Sequence, residues 1–570
     1  MHLRIEWAAS QKKSTTDMRF QLEHDWQGNM ASPRARVGES TKTYLLLILC
    51  ALWILIGLTG HDPWKPLEST GISIVKNIIQ SGNWVAPLAA GASTLDTPPL
   101  YYLSAALSAQ LFSPLLAMHD GARLVNALWM TITLLMVGMT GRELWSRGVG
   151  RHATFIMIGT IGLVMIAHSL NTEVASLTSA ATGFYALALS NRRPWRASAL
   201  FGVALAVGFL ADGPLTPLIL LSTAIVLPIL LRAWRTQRYG LFLSTAVVIA
   251  LPACASWMGL FYIQNPTLFY QWLDSNISAF QYHHHAYFIR ILVWYAWPAL
   301  PLALWGLWRH RQHLFTKPKF HLIGLFFISS VLLLGTSASE KDSNALVLLL
   351  PLVALGAGSV EHLKRGAAAA LNWFGITLFA LIGLLIWLGW IAMQAGYPSK
   401  IKERMQFLSG SDLTHFSWIA LFMALMITAI WLFTCIRVRQ TNRSTVTNWA
   451  VGMTFGWGLL MTLWLPWINA VKSYESVFIN MQAKLPAKYN CIHSLNVGQS
   501  QRMLLHYYTD INLVSVKNST SANCKLYLIQ DEKGSARMQP GDEWQLIWRG
   551  KRPADRKESF RLFQKQEPAD

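Results

Sequence analysis

The sequence predicts an all-α, polytopic membrane protein of about thirteen spans, with juxtamembrane helices in the first outer loop and a small C-terminal α/β domain. Three observations predict it. Of 570 residues, 53% are hydrophobic and only 13% are charged, and there are 26 Trp, which departs from a soluble chain in both fractions. Apolar runs such as 44–58, 241–261, 376–393 and 418–433 approach or exceed the roughly 20 residues that cross a bilayer core. The formal charge of +20 is gathered in short clusters between those runs, a topology signal rather than a nucleic-acid surface.

Residues 1–42 are polar and basic, with no cleavable signal peptide visible, so they are expected to form a cytoplasmic segment. Fourteen apolar runs follow within a transmembrane region of 43–468: 43–60, 100–117, 123–141, 152–168, 174–190, 197–211, 214–231, 241–262, 289–308, 321–336, 345–360, 371–394, 415–436 and 447–468. Fourteen spans conflict with the charges. If 100–117 crossed, the clusters from Arg142/Arg147/Arg151 to Arg437/Arg439/Arg443 would all lie outside. That run follows Pro98-Pro99, is interrupted by Pro114 and leads into His119-Asp120-Gly121, so it is read as a helix lying on the outer face. The first outer loop then covers 61–122, and the N-terminus is inside.

Beyond Trp467 the chain becomes polar, with alternating stretches at Lys525–Ile529 and Trp544–Trp548 that read as strands. Residues 469–570 are therefore expected to form a periplasmic α/β domain. Its two cysteines, Cys491 and Cys524, are candidates for a disulfide in that oxidising location. The whole chain would sit in a bacterial inner membrane.

The acidic groups concentrate in the outer loops. Ionised side chains beside hydrocarbon are costly unless solvated, paired or used, so Asp62, Glu68 and Asp96 are the leading candidates for catalysis. The bland alternatives are solvated loop carboxylates or helix caps. Lys65, Arg123 and Lys341 are candidate cations near the same face; the competing explanation is an exposed interface charge for Lys65, and snorkelling or helix-end stabilisation for Arg123 and Lys341. Glu173 opens a span after Asn171-Thr172 and ranks behind these. Tyr282-His283-His284-His285 invites a metal, but adjacent imidazoles do not easily face one ion. No metal or other cofactor is expected, and His284 and His285 are read as substrate contacts or as an interfacial belt.

The first outer loop reads His61-Asp-Pro-Trp-Lys-Pro-Leu-Glu68, Ser81-Gly-Asn-Trp-Val-Ala-Pro87 and Asp96-Thr-Pro-Pro-Leu-Tyr-Tyr102. Ala122-Arg123-Leu124, Asp212-Gly213-Pro214, Ser337–Lys341 and Leu350–Leu355 follow in order. This ordered set resembles the GT-C glycosyltransferases that use polyprenyl-phosphate sugars, namely the bacterial relatives of protein O-mannosyltransferases and of lipid A aminoarabinose transferases, over about residues 43–360. The chain departs from their pattern at Leu67, which stands where an acidic residue is usual, and at Asp96, Thr97 and Asp212, which stand where Glu, Lys and Lys are usual.

The resemblance implies inverting transfer of a sugar from a polyprenyl phosphate to a lipid A-like glycolipid, an envelope glycan or a protein. A carboxylate would orient or deprotonate the acceptor, and cations would meet the leaving phosphate. With Leu67 in the leading position, the work of its usual carboxylate would pass to Asp62, Glu68 or Asp96. Tyr101 and Tyr102 would contact substrate. Other partners are membrane lipids, not nucleic acid, and the chain is expected to be a monomer. Two rivals are a transporter or flippase of a lipid-linked precursor and a non-catalytic relative. A transporter should show mid-span charges and discontinuous helices, of which the sequence shows little.

Overall fold

The structure, a computed structural model, describes residues 39–92, 95–146, 148–281, 284–336, 341–410, 416–437, 441–515, 524–532, 541, 543–553 and 555–566. Arg147, Tyr282, His283, Arg439 and the 337–340 part of the Ser/Lys motif lie outside these residues, as does the leader up to residue 38. Residues 49–570 form one unit.

Helix α1 (Glu39–Leu55) is followed by three helices of the first loop, α2 (Ser69–Ser81), α3 (Leu100–Phe112) and α4 (Met118–Arg123). Next come α5 (Val125–Leu144), the pair α6 (Val149–Ile158) and α7 (Ile161–Ala167), then α8 (Glu173–Leu189), α9 (Pro194–Asp212), α10 (Leu215–Leu230) and α11 (Gln237–Gln264). Helix α12 (Pro266–Ser278) precedes a second pair, α13 (His285–Tyr295) and α14 (Ala299–Arg309). The series continues with α15 (Pro318–Thr336), α16 (Leu346–Ser359), α17 (Arg365–Ala395), α18 (Ser399–Ser409) and α19 (Trp418–Arg437). A third pair, α20 (Asn442–Leu463) and α21 (Leu465–Lys472), closes the apolar region.

Among the described residues, seven helices are long and apolar enough to cross a membrane, or ten if each bent pair counts as one span. Run 100–117 contributes only the 13-residue α3, which at 1.5 Å per residue covers about 20 Å and falls short of a hydrocarbon core of roughly 30 Å.

Three runs expected as single spans are broken instead. Runs 152–168, 289–308 and 447–468 bend by 70°, 103° and 68°, at the extended Thr160, before Pro298 and before Pro466. Backbone exposed at such breaks needs partners inside a membrane protein. Gly159 accepts from Trp449 Nε1 at 2.8 Å, and the Ile161 amide donates to the Trp297 carbonyl at 3.1 Å.

Helix α8 runs through the centre of the bundle. Nearly the whole helix is buried, and the small residues among its buried ones, Ala175, Ser176, Ser179, Ala180 and Gly183, let neighbouring backbones approach without a hydrophobic drive. Hydroxyl bonds tie it to its neighbours: Thr178 to Thr133 at 2.8 Å and Ser176 to Thr216 at 2.6 Å. Basic loops meet through Arg192–Glu143 and Arg443–Glu361, both at 2.9 Å.

The tail adds α22 (Glu475–Gln482), β1 (Ile492–Leu495), α23 (Gln499–Thr509), β2 (Leu513–Ser515), β3 (Leu526–Glu532), β4 (Trp544–Gly550) and β5 (Glu558–Lys565). The sheet order is β2-β1-β3-β5-β4; β1 pairs in parallel with β2 and β3, and β5 runs antiparallel to β3 and β4. Both alternating stretches are strands, as their period implied. Cys491 and Cys524 are bridged, with Cα atoms 5.0 Å apart and a sequence separation of 33. Closing a loop of that length restricts the unfolded chain, so Cys491→Ser is expected to cost the tail about 3–4 kcal/mol. Hydrogen exchange over the tail of the full-length chain would read this, and unchanged protection would refute it.

Candidate active site

The first loop leaves α1 through Gly60, whose φ of +91° suits glycine because a Cβ is disfavoured there. Its amide donates to Asp120 Oδ2 at 3.0 Å. The chain then places Glu68 at the start of α2 with 1% of its surface exposed. Glu68 Oε1 accepts from Arg123 Nε at 2.6 Å and from the Leu170 amide at 3.0 Å, and Oε2 accepts from the Trp64 amide at 3.0 Å. Arg123 turns its other edge to Asp120 Oδ1, at 2.7 Å. Gly71 permits this closeness, since a Cβ there would lie 2.7 Å from the Leu170 carbonyl oxygen.

Burial opposes ionisation of Glu68, but Arg123, His61 and the hydrogen bonds outweigh it and hold the carboxyl below its ordinary 4.5. A depressed carboxyl stabilises the fold fully above its unfolded value and loses that contribution as pH falls through the folded one. Thermal stability should therefore drop on acidification below about 4.5, and Glu68→Gln should flatten that part of the pH profile. An identical acid limb in the variant would refute the assignment.

Asp62, 9% exposed, sits beside this network. Its amide donates to Asn469 Oδ1 at 2.9 Å, and its Oδ2 accepts from Asn469 Nδ2 at 3.1 Å. Trp64 Nε1 shares Asn469 Oδ1 at 3.2 Å. His61 stacks on Trp64 with ring centroids 4.1 Å apart and donates from Nδ1 to the Asp62 carbonyl at 2.8 Å. Lys472 lies 4.8 Å over the Trp64 ring. Among the described residues, Asp62 Oδ1 has no hydrogen-bond partner, unlike both oxygens of Glu68.

A second group of candidates is separate from the first. Asp96 is exposed by its own surface yet crowded enough that desolvation raises its carboxyl above the usual range, with Lys341 pulling the other way. Tyr102 is buried within electrostatic reach of Glu173, Asp96 and Asp212. Glu173 accepts from Ser343 Oγ at 2.7 Å, and Asp212 from Thr172 Oγ1 at 2.7 Å. His284 and His285 lie against the end of α15: the His284 amide donates to the Gly335 carbonyl at 2.7 Å, and the His285 ring packs on Gly335.

Two candidates differ from their expected roles. Tyr101 is fully buried, donates to Asn126 Oδ1 at 2.7 Å and accepts from the Asn171 amide at 3.1 Å, so it braces the two groups rather than facing a ligand. Lys65 is paired with Glu558 and lies 5.2 Å over the Tyr474 ring, so its charge is turned toward the tail. The segment joining both groups is short. Leu170 reaches Glu68, Asn171 reaches Tyr101, Thr172 reaches Asp212 and Glu173 reaches Ser343.

Sequence reasoning missed Asp120, Asn469 and the Leu170 amide. Asp120 carried a signal, an acid three residues before Arg123 in one helical turn. Asn469 carried none. Among the described residues no group of His, Cys, Asp and Glu is placed to hold a metal ion.

No family model matches the chain. It is 27% identical over 474 residues to an undecaprenyl phosphate-alpha-4-amino-4-deoxy-L-arabinose arabinosyl transferase of Pseudomonas savastanoi pv. phaseolicola, covering 79% of this chain and 83% of the relative. A transferase of the same name from Pseudomonas fluorescens is 25% identical over 373 residues, covering 62% and 66%. The solved structure of ArnT from Cupriavidus metallidurans bound to undecaprenyl phosphate superposes with a TM-score of 0.65 at 13% identity, covering 92% of this chain and 98% of that one. Its apo form gives 0.67 at 14%, with the same coverage. The resemblance to polyprenyl-phosphate-dependent GT-C transferases seen in the motifs therefore holds, and the chain has their fold.

Proposed function

We propose that this chain is an integral membrane glycosyltransferase that moves a sugar from a polyprenyl-phosphate donor to an acceptor at the outer face of a bacterial inner membrane. The observation that carries the reading is the sequence likeness to undecaprenyl-phosphate aminoarabinose transferases, extending over most of both chains. The donor is an undecaprenyl-phosphate-linked sugar. The acceptor is a lipid A-like glycolipid, with an envelope glycan or a protein as the alternatives.

In this reading Asp62 is the working carboxylate. An acceptor hydroxyl bound at Oδ1 would give up its proton there as its oxygen attacks the anomeric carbon. The bond from that carbon to the phosphate oxygen breaks on the opposite side, giving inversion, and the polyprenyl phosphate leaves with the electron pair. Glu68 anchors Arg123, and both shape the pocket. Asp96, Lys341, Glu173 and Tyr102 form the second wall, with Lys341 meeting phosphate and His284 and His285 at its edge. Side-chain cations meet the leaving group.

The segment up to residue 42 is cytoplasmic, 43–468 is the membrane domain and 469–570 is periplasmic. Counting α1, α8 and α10 with the ten apolar spans gives thirteen, an odd number that separates the two ends. The protein acts as a monomer.

The test is transfer from a radiolabelled undecaprenyl-phosphate sugar to lipid A by the purified chain in nanodiscs. Labelled acceptor is the expected product. The three broken helices fit a transporter better than the sequence did, so passage of the labelled donor across sealed vesicles without any transfer would favour that rival. Donor binding without either event would favour a non-catalytic relative.

A further inference from the structure

We infer that the tail domain is a working part of this site: helix α23, acting through Tyr507 and His119, holds the Asp120–Arg123–Glu68 network in place. This rests on the function proposed above.

Helix α23 is fixed at both ends. Lys76 of α2, 5% exposed, donates to the carbonyl oxygens of His506 and Tyr507 at 2.9 and 2.8 Å and pairs with Asp510 at 2.7 Å. All three ammonium donors are used, at a helix C-terminus, where a cation is favoured. Toward the other end, Gln501 Nε2 donates to Glu558 Oε2 at 3.0 Å, beside the Tyr474 hydroxyl at 2.6 Å, while Lys65 holds the other oxygen.

Between these anchors the Tyr507 hydroxyl meets His119 Nδ1 at 2.9 Å, and His119 Nε2 faces Asp120 Oδ1 at 3.8 Å. Burial and the nearby Arg123 hold His119 below its ordinary value, so the neutral ring accepts from Tyr507 and turns its N–H toward Asp120. Asp120 in turn holds the Gly60 amide and Arg123. Tyr507 and Tyr508 both lie within electrostatic reach of Asp62. Tyr507 and His119 are thus positioning residues, linking a domain more than 380 residues away in sequence to the first loop.

A packing contact alone would be indifferent to one oxygen atom, so Tyr507→Phe is the informative variant. In the full-length chain it should lower kcat about tenfold, a scale set by small misplacements of reacting groups, with KM for the undecaprenyl-phosphate sugar and the melting temperature unchanged. His119→Ala should do the same, and the double variant should be no worse than either. Hydrogen exchange at the Gly60, Trp64 and Leu170 amides should quicken in Tyr507→Phe. Unchanged kcat with unchanged exchange, or additive losses in the double variant, would overturn the inference. If the unaltered chain transfers no sugar, the proposed function fails, and the exchange measurement alone decides whether the tail holds the network.

Discussion

Replacing Arg123 with Met is expected to abolish transfer and to destabilise the protein by about 3–5 kcal/mol, the cost of leaving a buried charge without its partner. Two carboxylates depend on this guanidinium, Glu68 at 2.6 Å and Asp120 at 2.7 Å, and its own side chain is 1% exposed. No other cation approaches them as closely among the described residues. The expectation has a built-in control. Combining Arg123→Met with Glu68→Gln removes one stranded charge together with the cation, so much of the stability should return while activity does not. Denaturation of the purified protein in detergent measures both. A single variant as stable as the parent would mean that the network is not closed as described.

Asp62→Asn should leave the fold intact and lower the transfer rate by about 10²- to 10⁴-fold, the range lost with a general base. The replacement amide oxygen can still accept from Asn469 Nδ2, and the backbone bond to Asn469 Oδ1 is untouched. What disappears is the proton acceptor at Oδ1. Asp96→Asn, in the second group, should have the smaller effect on kcat. If Asp62→Asn keeps full activity and Asp96→Asn loses it, the working carboxylate belongs beside Lys341 instead, and the roles assigned to the two groups must be exchanged.

Much of this architecture was legible before any coordinates. Apolar runs marked the helices because a bilayer demands length and low charge, and Pro98, Pro99 and Pro114 bracket the 13-residue α3. The three breaks were not legible. Thr160 and Pro298 interrupt apolar runs, and the first interruption is tolerable because the Trp449 indole, from a distant helix, meets the Gly159 carbonyl while the Trp297 carbonyl, from the second break, meets the Ile161 amide. The site divides in the same way. Glu68 and Arg123 stood out because charge is scarce here, whereas Asn469 reaches Asp62 across 407 residues of sequence with no feature to announce it. The pairing of Lys65 was not legible for a related reason: its partner Glu558 lies in the tail, and spacing in the first loop says nothing about what docks on it.

The stretch from Leu170 to Glu173 behaves like a ruler with four consecutive marks. Each residue along it meets a different partner, and the outermost two serve the two separate groups of charged side chains. The side chain at Leu170 could drift over evolutionary time, since its bond to Glu68 uses the main-chain amide, whereas Asn171, Thr172 and Glu173 also bond through their side chains. The number of residues could not drift. One added or deleted position would slip every mark at once, so kinship among such transferases should be traceable by the unchanging length of this piece even where its letters have been rewritten.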